Sequence, residues 1–299
     1  MSGIMFNEDC NHFIFTRYRA GIRVTEKELK AFIDQYRGSE IKEFAINLNA
    51  MLAWYPSRAL DNAIDKYRAI KAAGGDPGPV GNPVEILEDV YNRQGIPMHA
   101  YWLSELRRIG IHPWISIRMN DIHNTDEENH FLHSEFFKNT QWRRTSHRPP
   151  CNYYDNALDF HVPQVRQRML NLIQEVLSEF DIDGLELDWM REIFSLRAGR
   201  EEEGIPVMNA YMRQIRGLVD EAAGAKGHPI KLSVRVPATP EMCLRFGMDV
   251  FDWMDNGLID MIVPTPRWSS SDNDMPIDLW RRIIGKRDIL LGAGLEALI

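Results

Sequence analysis

The chain has 299 residues, 44% hydrophobic and 26% charged, enough for one large domain with a buried core. Its formal net charge of −8 at pH 7 argues against nonspecific nucleic-acid binding, which needs a basic surface. The three cysteines, Cys10, Cys151 and Cys243, are far apart and odd in number, so they suggest neither a disulfide framework nor a Cys-based zinc motif. No basic start runs into an apolar stretch, and no stretch has transmembrane length. The expectation is a soluble protein with no membrane partner, cytoplasmic by default and exported if a leader was removed.

The first strand starts at Ile4 and passes into Asn7, Glu8, Asp9, Cys10, Asn11 and His12, a polar cluster suited to the first loop of an active-site face. Thr25 and Glu28 have the spacing of a capping box for a helix through Lys27, Leu29, Phe32 and Tyr36. The second strand is EFAINLN, residues 43–49, and residues 51–55 carry it into a loop. Residues 56–95 are too long for a simple connection. A helical piece at 60–73 precedes GGDPGPVGNP, read as an irregular excursion that walls one side of a pocket. A helix over 97–109 leads to the third strand, HPWISIR, residues 112–118.

Residues 119–162 form a second long excursion containing MNDIHNTDEENHFLHSEFF. Its His123, His130 and His133 lack the H-E-x-x-H pattern and the spacing of a closed metal site, so no metal is expected. Hydrogen bonding to a polar substrate explains them more simply. After a helix over 165–180 comes DGLELDWMR, residues 183–191, with Leu185 and Leu187 on one face and Glu186 and Asp188 on the other. That alternation is the period of a strand, and a carboxylate-bearing face is costly unless it lines a site. The plainer alternative is an Asp that caps a helix or pairs with a structural Arg. A charged loop at 201–204 and an amphipathic helix at 207–223 follow. Then come strands at 231–236 (KLSVRV), 259–264 (IDMIVP) and 288–295 (DILLGAGL), with helices at 251–258 and 279–284 between them.

Strand and helix alternate throughout, which specifies a parallel α/β sheet, and the long loops follow strands. Both features fit a (β/α)8 TIM barrel, whose chemistry sits at the C-terminal ends of its strands. Seven strands are legible. The expectation is a single TIM-barrel domain over residues 1–299, truncated after strand seven and lacking its last strand and helix, with long insertions in the second and third βα loops.

DGLELDWMR, SIRMND and DVFDWMDNGLIDMIVP together resemble the bacterial glycoside-hydrolase-like TIM-barrel proteins; the last phrase supplies Trp253, Gly257 to Asp260 and Pro264. The resemblance covers roughly residues 4–296 and implies a barrel that acts on carbohydrate. The fourth-strand signature of family 18 chitinases is similar in register to Asp183, Glu186 and Asp188, but its acid Glu falls on Met190, which cannot donate a proton. The alpha-amylase superfamily places its nucleophilic Asp at the position matching Asp188, within D-G-F-R-x-D; Glu186 here replaces the Arg.

Glycoside hydrolysis needs two carboxyl groups flanking the bond. Asp188 is the central candidate, and Asp121, Glu241 and Glu296 at other strand exits are the available partners. Glu186 is placed to orient an arginine. Asp9, Arg118, Asn120, His123, Arg191, Arg235 and Arg267 are candidates for binding substrate hydroxyls or carboxylates, the number of arginines suiting an acidic sugar. Trp54, Trp189 and Trp268 are candidates for stacking on sugar rings, whereas Trp102 and Trp114 belong to the core. The expected function is a glycoside hydrolase acting on a polysaccharide or oligosaccharide, with no cofactor. The alternatives are a uronic-acid lyase or isomerase using Asp188 or a loop histidine as base, and a noncatalytic carbohydrate-binding barrel.

Overall fold

The computed structural model describes residues 3–9, 11–127, 129–266 and 274–295. Its strands are β1 (Ile4–Asp9), β2 (Ile41–Asn47), β3 (His112–Arg118), β4 (Gly184–Asp188), β5 (Lys231–Pro237), β6 (Met261–Thr265) and β7 (Leu290–Leu291). They form a sheet whose order follows the chain from β1 to β7. The pairings β1–β2, β2–β3, β4–β5, β5–β6 and β6–β7 are parallel. Parallel neighbours require crossovers, and helices supply them: α1 (Asn11–Arg19), α2 (Glu26–Asp34), α3 (Ala63–Ala72), α4 (Met98–Arg108), α5 (Pro163–Glu179), α6 (Glu201–Lys226), α7 (Pro240–Arg245), α8 (Val250–Asp255) and α9 (Ile277–Ile284). Sequential parallel strands with helical crossovers are the (β/α)-barrel progression, carried through seven strands among the described residues.

By contact the chain forms two compact units. The first comprises Met1–Ser116, His123–Lys138 and Glu175–Asp183. Here Phe6 of β1 and Phe44 of β2 pack on Tyr36 at ring separations of 5.5 and 4.9 Å, and Phe13 and Phe32 pack on Trp102 at 5.0 and 4.9 Å. Side chains alternate along a strand, so the opposite face carries Asn7, Ala45 and Trp114, with Asp9, Asn47 and Ser116 nearer the exits. Glu175, near the end of α5, fastens the loop after β2. Its carboxylate accepts from Tyr55 Oη at 2.6 Å, Ser57 Oγ at 2.5 Å, Arg58 N at 2.7 Å and Ala59 N at 3.0 Å.

The second unit comprises Ile117–Ile122, Asn139–Gln174 and Gly184–Ile299. Its ladder continues past β7: Gly292 N and Gly294 N donate to Ile262 O and Pro264 O, each at 2.9 Å. A Cβ on Gly294 would fall 2.0 Å from Thr265 Oγ1, so only glycine lets this segment lie so close to β6.

Three local expectations need correction. Thr25 is an N-cap by backbone conformation, but its side chain makes no capping bond, so the capping box does not form. The excursion GGDPGPVGNP folds into short helical turns at Gly78–Gly81 and Asn82–Val84, with a proline in the first turn of each. Proline has no N–H to lose there, so it starts these turns rather than breaking them. Finally, 201–204 is the first turn of α6, not a loop, because Glu201, Glu202 and Glu203 complement the positive end of the helix dipole.

Candidate active site

Asp188 is the last residue of β4, whose five residues are all buried. Leu185 and Leu187 alternate with Glu186 and Asp188, and parallel register sets Glu186 beside Ser233 and Asp188 beside Arg235 on β5. Register partners in a parallel pair share a face, so the charged side chains meet. Arg235 Nη1 donates to Asp188 Oδ2 at 3.0 Å. Asp188 Oδ1 accepts from the backbone N–H groups of Met190 at 2.8 Å and Arg191 at 3.0 Å, closing the turn that leaves the strand. Asp188 is 4% exposed and acts as an acceptor at both oxygens. Its backbone oxygen accepts from Met119 N at 3.1 Å, which fixes the exit of β3 against that of β4.

That exit carries Arg118, Asn120 and Asp121. Asp121, 5% exposed, has Oδ2 between two guanidinium groups, 3.6 Å from Arg118 Nη1 and 3.9 Å from Arg191 Nε. Arg191 therefore spans both acids, with its backbone N–H on Asp188 and its side chain beside Asp121. The Asn120 amide serves the scaffold. Its Nδ2 donates to Leu158 O at 2.9 Å and Phe194 O at 3.5 Å, and its Oδ1 accepts from Leu158 N at 3.2 Å. The structure thus brings together Arg118, Asp121, Asp188, Arg191 and Arg235. Glu186 lies one pleat below Asp188, buried.

The other sequence candidates are placed as follows. Glu241 is exposed in the first turn of α7, after the N-cap Thr239. Trp189 is 0% exposed and packs edge-on against Phe160 at 5.2 Å; Trp54, in the first unit, is 1% exposed. Neither presents a ring face to solvent. Asp9 and His123 belong to the first unit and are partly exposed. Glu296, Arg267 and Trp268 lie outside the described residues. Of the loop histidines, His133 bonds through Nε2 to Asn124 O at 2.9 Å, and no group of three His, Cys, Asp or Glu side chains that could hold a metal occurs among the described residues.

Several buried charges escaped the sequence reading. Arg144 donates to Leu196 O at 3.1 Å and Glu201 at 3.0 Å, and lies 3.7 Å from Asp155; it ties the loop after β3 to the loop after β4. Asp159 accepts from the His161 backbone and contacts its ring Nδ1, both at 2.9 Å. Glu192, four residues past Asp188, is also buried. The only signal for these was density of charge in loops that follow strands. In the first unit, burial and, to a lesser extent, the neighbouring Asp9 raise Glu8 to about 7. Glu8 shares its strand face with Phe6, which packs on Tyr36 just past α2, so it faces away from the polar side that carries Asp9. A surface depression edged by Leu103, Arg107, Arg108, Glu179 and Asp181 sits on outer helical turns, and no strand-exit residue lines it.

No protein-family model matches the sequence, and no curated protein matches it. Solved structures do. A Paenibacillus sp. cycloisomaltooligosaccharide glucanotransferase, complexed with cycloisomaltoheptaose, aligns with a TM-score of 0.50 at 8% identity over 90% of this chain and 36% of its own. An alpha-galactosidase from Thermus thermophilus, complexed with stachyose, gives 0.45 at 16% identity over 87% and 44%. An alpha-L-fucosidase from Paenibacillus thiaminolyticus gives 0.46 at 12% identity over 99% and 46%. The chain spans less than half the length of each. At identities this low the likeness is one of fold. No helix among the described residues is long and apolar enough to cross a membrane.

Proposed function

We propose that this chain acts on glycosidic bonds of a carbohydrate substrate, with Asp188 as the central carboxylate and Asp121 as its partner. One observation carries the reading: two buried carboxylates at neighbouring strand exits are coupled through Arg191, whose backbone holds one and whose guanidinium flanks the other. Strand exits are where barrel enzymes keep their chemistry, and cleavage of a glycosidic bond uses two carboxyl groups in complementary roles.

The surroundings of Asp188 support one of the two roles. Asp188 is fixed by three donors, so its position is set before substrate arrives and little reorganisation is needed during reaction. That suits the group that attacks, or stabilises charge at, the anomeric carbon. Asp121, whose Oδ2 lies 3.6 and 3.9 Å from the Arg118 and Arg191 guanidinium groups, is then the carboxyl left to serve a leaving-group oxygen or a water. Glu241 and Glu296 remain further candidates for the second carboxyl.

The test is release of reducing ends from a panel of oligosaccharides and 4-nitrophenyl glycosides. Wild type is expected to cleave at least one member, and Asp188→Asn and Asp121→Asn are each expected to lose that turnover while remaining folded. Full turnover by Asp188→Asn would sink the assignment. Binding without cleavage by wild type would leave a noncatalytic carbohydrate-binding barrel.

A further inference from the structure

Two of the three tryptophans expected to stack on sugar, Trp54 and Trp189, are buried, yet the second unit carries another set of aromatic rings on the segments that follow the same strands. Tyr153 and Tyr154 come from the loop after β3, Phe194 from the loop after β4, and Phe246 from the end of α7, which follows β5. Their rings touch in series: Tyr153 to Tyr154 at 5.8 Å, Tyr154 to Phe194 at 5.1 Å, and Phe194 to Phe246 at 5.4 Å. The same three strands deliver Asp121, Asp188 and Arg235 at their exits. Each strand therefore gives a charged group at its end and an aromatic ring in the segment above it.

Phe194 is the centre of the series and is held in place. The Arg144 guanidinium lies 4.8 Å over its ring, and its backbone oxygen accepts from Asn120, next to Asp121. The exposed surface is at the two ends. Tyr153 is 38% exposed at one, and Met242 and Leu244 flank Phe246 at the other, each also 38% exposed. Aromatic rings in series, tied through the Phe194 backbone to Asn120 beside Asp121, offer apolar area that suits the C–H faces of a pyranose chain. Charge selects among such chains. Arg144 is committed to Glu201 and Asp155, and the net charge of −8 disfavours a polyanion.

We propose that Tyr153, Tyr154, Phe194 and Phe246 form a binding platform for the units of a neutral oligosaccharide that extend beyond the bond held at Asp188. The proposal rests on the carbohydrate reading of the Asp188 site and adds that the substrate is a chain rather than a single sugar.

The experiment is calorimetric titration of the full chain with maltohexaose, cellohexaose, xylohexaose and chitohexaose, repeated in an Asp188→Asn background so that no ligand is consumed. At least one hexasaccharide is expected to bind, about tenfold more weakly to Tyr153→Ala, with Tyr153→Trp restoring affinity. Tyr153 is exposed, so the alanine variant is expected to keep its melting temperature. Turnover of 4-nitrophenyl monosaccharides, which occupy only the cleavage position, is expected to be unchanged in Tyr153→Ala. Equal hexasaccharide affinity in wild type and Tyr153→Ala would overturn the platform, as would a wild type that binds none of the four. Loss of self-association in Tyr153→Ala without any change in sugar binding would make the patch a protein contact and overturn it too. In each of these cases, aryl-glycoside turnover that depends on Asp188 would leave the bond-cleaving reading standing.

Discussion

Glu175 and Asp188 are both carboxylates saturated with donors, yet their donors mean different things. Glu175 accepts four hydrogen bonds, all from residues 55–59, and so pins one surface loop to a helix. Asp188 accepts three, two from the turn that it begins and one from Arg235 on the adjacent strand. The first gathers side-chain and backbone donors from a distant loop and is half-buried at a helix end; the second stands at a strand exit, with a second buried acid at the neighbouring exit. Saturation alone therefore marks a fixed carboxylate. Under the proposed reading, its place at a strand exit and the buried Asp121 at the neighbouring exit make Asp188 the chemical one.

Removing each carboxylate sharpens that contrast. Asp188→Asn should cost about 10³-fold or more in turnover, with a melting temperature close to wild type, measured by steady-state kinetics and calorimetry. Glu175→Ala should do the reverse. It strands four donors and should cost about 2–3 kcal/mol in urea unfolding, while the turnover of the remaining folded protein stays near wild type. If Glu175→Ala removed activity without loss of stability, the distinction between the two acids would fail.

Smaller effects test how Asp188 is held. Arg235→Met removes one of its three donors and should lower turnover about 10- to 100-fold, with Arg235→Lys recovering part of it, read as kcat and KM separately. Asn120→Asp replaces a donor by an acceptor facing Leu158 O and Phe194 O; a stability loss of about 1–2 kcal/mol is expected by denaturant titration. The smallest effect is a pH dependence in the first unit. Glu8 is raised from 4.5 to about 7, so the folded state binds its proton more tightly than the unfolded chain does. Stability from this group is complete below the unfolded value and is lost as pH rises through about 7. Glu8→Gln should flatten that decline and gain about 1 kcal/mol over wild type at pH 8, in unfolding curves taken from pH 4 to 8.

Much of the fold was legible because strand and helix periods differ. HPWISIR is β3 residue for residue, and the alternation of DGLELDWMR gave both β4 and the face that Asp188 occupies. Turns were read less well. GGDPGPVGNP contains the residues of an irregular loop, but prolines at helix starts are equally consistent with the short turns that form. At the site, Asp121, Asp188, Arg118, Arg191 and Arg235 were legible from their positions at strand exits. That Asn120 braces Leu158 and Phe194 was not, since its partners lie 38 and 74 residues away. The tryptophans illustrate the same limit: sequence placed Trp189 one residue past a strand, but only packing on Phe160 decides which way its ring points.

The most direct measurement is reducing-end release from the hexasaccharide and aryl-glycoside panel by wild type and Asp188→Asn, at equal concentrations of folded protein. Wild type should cleave at least one member and Asp188→Asn should retain about a thousandth of that rate or less. Equal rates from the two proteins, or binding without cleavage by wild type, would contradict Asp188 as the centre of a glycosidic-bond-cleaving site.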